Sequence, residues 1–72
     1  MNLKINGEIK TIEKSNKEIL LEGLLERLGF KPQLVVVELN GIIVNPKDWI
    51  STTIKDGDCV EVVTIVGGGS YS

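Results

Sequence analysis

A chain of 72 residues with a formal net charge of −2, one cysteine and no histidine makes one small domain with a thin core, because folded chains near this length bury only about 60% of the surface exposed on unfolding. A small-molecule pocket of the usual size, roughly 300 Å³ or more, would hollow out most of such a core, so the length favours a binder or carrier over a self-contained enzyme. The charges are dispersed, Phe30, Trp49 and Tyr71 are the only aromatics, no apolar run approaches the ~20 residues of a membrane span, and no signal-peptide pattern opens the chain; these features argue against nucleic acid and membranes and for the cytoplasm.

In chain order, Asn2-Leu3-Lys4-Ile5 alternates polar and apolar residues, Asn6-Gly7 follows, and Ile9, Thr11 and Ile12 resume an extended run. Asn-Gly supplies the two positive φ values of a type I′ turn, which predicts an antiparallel hairpin with Leu3 and Ile5 on one face. Ser15-Asn16-Lys17-Glu18 has the spacing of a capping box, and Leu20, Leu21, Leu24, Leu25 and Leu28 form one apolar stripe behind it. The pattern predicts an amphipathic helix buried through its leucines. Gly29 suits a left-handed helix end, Phe30 is placed to fold back onto Leu25, and Pro32 blocks continuation.

Leu34-Val35-Val36-Val37-Glu38-Leu39 is apolar at both parities except for Glu38, as in an internal strand, and Asn40-Gly41 turns it into Ile42-Ile43-Val44. Asn45-Pro46-Lys47-Asp48 reads as the cap and first turn of a short helical segment, with Trp49 plugging the edge of the core. Lys55-Asp56-Gly57-Asp58 is a tight turn whose two carboxylates fall far short of a calcium loop. Cys59 is the single cysteine and histidine is absent, so neither a disulfide nor a zinc site can be built within the chain, and no metal is expected.

The last strand, residues 59–66, places Val60 and Val62 on one side and Glu61, Val63 and Ile65 on the other. A single helix covers one side of a sheet. Val63 and Ile65 are therefore expected in a partly exposed apolar patch of the kind that marks partner surfaces, the alternative being an ordinary solvated face with scattered apolar residues. After Val66 come Gly67-Gly68-Gly69 and Ser70-Tyr71-Ser72. Three glycines offer no side chain to pack and no Cβ to obstruct passage through a narrow active site, although small polar residues are also common at chain ends. The boundary is set at residue 66, with a domain over 1–66 and a glycine tail over 67–72.

The order strand, strand, helix, strand, strand, short turn, strand is that of an α+β, ubiquitin-like β-grasp domain, a mixed sheet of four to five strands packed on one helix. In detail, residues 37–49, then Lys55-Asp56-Gly57-Asp58-Cys59-Val60-Glu61-Val62-Val63, and Val66-Gly67-Gly68-Gly69 resemble the ThiS-like sulfur carriers of thiamine thiazole biosynthesis along essentially the whole chain. The resemblance implies a central last strand parallel to the first. It implies that a ThiF-type adenylating enzyme, using ATP and magnesium of its own, activates the carboxylate of Gly69, or of Gly68 as the fallback, with Gly67 threading the channel. Sulfur from a donor enzyme then yields a thiocarboxylate that serves thiazole synthase. The carrier holds no cofactor and is not an enzyme. Glu38, Glu61, Val63 and Ile65 are expected to dock the adenylating partner. Ser70-Tyr71-Ser72 departs from the family pattern, which generally ends on the glycines. The small subunit of molybdopterin synthase shares the fold and the glycine ending but typically approaches it through a proline, absent from residues 62–66; a β-grasp interaction module without carrier activity is the other alternative.

Overall fold

The computed structural model describes residues 1–13 and 18–65. Its elements are β1 (Asn2–Ile5), β2 (Glu8–Thr11), a two-residue β3 (Ile19–Leu20), α1 (Leu21–Leu28), β4 (Val35–Leu39), β5 (Ile42–Val44), a two-residue β6 (Thr53–Ile54) and β7 (Cys59–Thr64). Two 3-10 turns, Pro32–Leu34 and Pro46–Ser51, precede β4 and follow β5. Five strands form one sheet in the order β2-β1-β7-β4-β5. β7 pairs parallel to β1 and antiparallel to β4, so the last strand is central, as the resemblance implied. The mixed sheet with its single helix is a β-grasp fold.

Both Asn-Gly hairpins form as predicted. Asn6 and Gly7 have φ of 51° and 84°, and Asn40 and Gly41 of 52° and 86°, the positive pairs that a type I′ turn demands and that match the right-handed twist of the flanking strands. The end of α1 is equally local in origin. Gly29 is left-handed at φ 82°, its N–H donates to the Glu26 carbonyl at 3.1 Å, and the Phe30 N–H donates to the Leu25 carbonyl at 3.0 Å. Phe30 is half-buried and packs against the core.

The start of the helix differs from the expectation. α1 begins at Leu21, and Leu20 at the cap is extended, with no side-chain cap. Ser15, Asn16 and Lys17 of the expected capping box lie outside the described residues. Glu18 is not in a helix at all, and its carboxylate accepts a hydrogen bond from the Thr53 hydroxyl at 3.3 Å. β3 has paired with β6, and the Leu21 N–H donates to the Thr52 carbonyl at 2.8 Å. Long-range bonds thus take up the donors that a local cap would have satisfied. Leu20 accordingly leaves the stripe and is exposed, while Ile19 turns inward.

Leu21, Leu24 and Leu25 are buried against the sheet, and Leu28 packs at the core margin. Facing them are Leu3 and Ile5 of β1, Val60 and Val62 of β7, and Val35 and Val37 of β4, all buried. Fully burying each such side chain contributes about 1.5–3 kcal/mol. Trp49 closes the edge, 1% exposed, with its indole N–H donating to the Val44 carbonyl at 2.9 Å. Among the described residues no polar side chain is buried and no helix is long and apolar enough to cross a membrane.

Candidate functional site

β7 is the strand from which the glycine run continues. Its alternation holds through Val63: Val60 and Val62 are buried, whereas Glu61 and Val63, and beyond the strand Ile65, are exposed; Thr64, at the strand's end, is exposed as well. Pairing with β4 sets Val36 opposite Val63 and Glu38 opposite Glu61, and pairing of β4 with β5 sets Ile43 opposite Glu38. Glu38, Glu61, Val63 and Ile65, singled out by parity along the sequence, are therefore gathered on the sheet face that points away from α1. Val63 is 57% exposed and Ile43 64%.

Two further apolar residues belong here and were missed in the sequence. Val36 and Ile43 share this face through the strand pairing and are exposed. The run around Val36 looked like a strand covered on both sides, yet Val36 shares the parity of Glu38, and that was the available signal. Leu34 does not start the strand as expected. It closes the preceding 3-10 turn, and its carbonyl accepts the Ile65 N–H at 2.6 Å. That bond extends the pairing of β7 with the β4 side by one residue and fixes where the described chain leaves the sheet. Gly67, Gly68 and Gly69 lie outside the described residues.

β7 is also held by side chains. The Asn6 amide oxygen accepts the Val62 N–H at 2.7 Å, and the Asn40 amide oxygen accepts the Cys59 N–H at 3.0 Å. Each asparagine stands where a neighbouring strand turns off, so its amide continues the backbone ladder for one more bond. The Asn40 amide nitrogen donates in turn to the Asp58 carboxylate at 3.2 Å. Asp58 closes the turn below β7 by accepting the Lys55 N–H at 2.8 Å, and Asp56 accepts the Asn2 N–H at 2.6 Å. Both carboxylates are thus occupied in shaping the turn. Cys59 is a half-buried free thiol, and the parallel pairing places Lys4 opposite it.

Among the described residues no three carboxylate, thiol or imidazole groups stand close enough to hold a metal ion. The depressions beside Ile5, Leu28 and Phe30 (about 270 Å³) and along α1 beside Ile19 and Gly23 (about 340 Å³) are open troughs. Among the described residues, the arrangement offers a central strand next to an apolar face set with two acids.

The model of the ThiS family matches residues 3–69. A thiazole synthase of Magnetococcus marinus is 37% identical over 71 residues, which are 99% of this chain and 21% of that protein. The chain thus spans about a fifth of the length of that relative. A protein designated ycf40 from Pyropia yezoensis is 42% identical over 96% of this chain and 93% of its own length. The crystal structure of the thiamine biosynthesis protein ThiS from Geobacter metallireducens superposes with a TM-score of 0.81 at 37% identity, covering 96% of this chain and all of that one.

Proposed function

The chain belongs to the ThiS family of small sulfur carriers, which are not themselves catalysts, and from that premise we propose that it carries sulfur to thiazole formation in thiamine biosynthesis on the carboxylate of Gly69. The observation that supports this most directly is that the family match runs through residue 69 and so takes in the whole glycine run. A carboxylate repels nucleophiles and lacks a good leaving group. Adenylation by a ThiF-type enzyme removes both obstacles: the carboxylate attacks the α-phosphorus of ATP, pyrophosphate leaves, and a sulfide equivalent then displaces AMP. The product is a thiocarboxylate, nucleophilic at neutral pH.

The chain's own contribution is position. β7 delivers the tail from the middle of the sheet, Gly67 and Gly68 let it pass a channel too narrow for a Cβ, and Glu38, Glu61, Val63 and Ile65 dock the adenylating enzyme beside the exit. Thiazole synthase receives the sulfur. Its partnership is supported by the thiazole synthase of Magnetococcus marinus, in which a stretch similar to this whole chain forms part of the same polypeptide. The cytoplasm, where ATP is at hand, is the compartment this chemistry suits.

Ser70-Tyr71-Ser72 masks the reactive end, since the carboxylate to be adenylated does not exist while Gly69 is in peptide linkage. The full-length chain and versions ending at Gly69 and at Gly68 are to be incubated with the adenylating enzyme, ATP and a sulfide source, and the products weighed. One sulfur-for-oxygen exchange is expected in the version ending at Gly69 and not in the intact chain. Exchange on the intact chain would overturn the masking, and exchange only in the version ending at Gly68 would move the reactive residue by one.

A further inference from the structure

Glu38 of β4 and Glu61 of β7 are register partners at the centre of the face turned away from α1. Residues directly opposite in an antiparallel pair have Cβ atoms about 4.5–5.5 Å apart, a spacing at which like charges repel and weaken the sheet. Their surroundings on that face are apolar: Val36 opposite Val63 lies next along the two strands, and Ile43 lies beside Glu38 on β5. On the other flank Lys4 is in register with Cys59 and so stands diagonal to Glu61 on the same face, and beyond Ile5 the β1 chain turns away at Asn6-Gly7. Among the described residues no basic residue is in register with either acid. Stability alone would favour a matched pair or two apolar residues at such a position.

We propose that this face recognises a partner surface that is apolar around one arginine, whose guanidinium bridges Glu38 and Glu61 while Val36, Ile43 and Val63 are covered around it. The proposal rests on the reading that the face docks the adenylating enzyme, and it names the chemistry of that contact. A guanidinium presents five N–H donors in a rigid planar fork, enough to serve an oxygen of each carboxylate at once, which a point-like ammonium does less well. The apolar ring excludes water from the contact and so strengthens the charge-assisted bonds. A chain of net charge −2 also attracts a basic partner surface from a distance. Repulsion present in the free carrier is relieved in the complex, which favours the bound state.

The test is calorimetric titration of the carrier with the ThiF-type enzyme at low and high salt, for the parent chain, Glu38→Gln, Glu61→Gln, the double variant and Val63→Asp, with a thermal melt of each. Each glutamine variant is expected to bind about tenfold more weakly or worse while melting at the parent temperature or above. The double variant is expected to lose little more than the weaker single one, because both acids share one guanidinium, and its residual binding is expected to be less sensitive to salt. Parent-like affinity in all three glutamine variants, with binding lost in Val63→Asp, overturns the arginine contact and leaves the docking face standing. Parent-like affinity in Val63→Asp removes the face itself. Binding that requires a divalent ion and is lost to a chelator assigns the acids to a bridging cation, and glutamine variants that melt lower assign them to the fold; either result overturns the proposal.

Discussion

Asn6 and Asn40 each meet two demands. Both sit in the left-handed region that asparagine tolerates better than most residues, and both lend an amide oxygen to a β7 N–H. Losing such an acceptor leaves a backbone donor unpaired, at a cost of about 1–3 kcal/mol where the group is shielded from water. Asn6→Ala is expected to destabilise the domain by about that amount in urea unfolding, since the bond from Val62 is part-buried. Asn6→Gly, which restores the backbone conformation without the acceptor, is expected to fall between it and the parent. The turns themselves were legible in the Asn-Gly pairs; the clamps were not, because their donors at Val62 and Cys59 lie 56 and 19 positions away. Cys59 teaches the same lesson, since Lys4 comes opposite it only through the parallel pairing. We expect no sulfur to pass through this thiol. Cys59→Ser should still accept sulfur at the chain end, and a folded variant that fails to do so would give the thiol a role.

Among the elements, α1 shows which boundaries a sequence can reveal. Gly29, Phe30 and Pro32 are all local signals, and the helix ends where they place it. Its start is decided by β6, which lies beyond the second hairpin and captures Ile19 and Leu20 as a strand before the helix can claim them. A capping-box spacing and a leucine at the head of the stripe carried no trace of that competition. The inner part of the stripe holds: Leu25 is 1% exposed. Leu25→Ala is expected to cost roughly 2–5 kcal/mol, measurable as a drop in urea midpoint. A parent-like midpoint would mean that the helix packs through another face.

At the scale of the molecule, the one helix and five-stranded sheet of the described residues leave one side of that sheet without cover among them, and that asymmetry is what the candidate site consists of. Parity along β7 was enough to find Glu61, Val63 and Ile65. Parity along β4 was hidden, because a strand apolar at both parities reads as buried on both faces, and only the count of covering elements says otherwise. Val63→Asp is expected to shift stability by no more than about 1 kcal/mol, the span of strand preferences at an exposed site. A melt that shows collapse of the fold would mean that Val63 serves the core rather than a partner.

The adjacency of β1 and β7 has a mechanical side. The two strands run the same way, so the start of β1 and the end of β7 lie toward opposite ends of the sheet. Tension applied at Thr64 against Asn2 acts along both strands, and the bonds from Lys4 to Asp58, from Asn6 to Val60 and from Val62 to the Asn6 side chain are loaded in shear together. A hairpin pulled at its open ends would instead unzip one bond at a time. A partner that draws the chain end into a channel therefore pulls against an anchor that yields all at once or not at all.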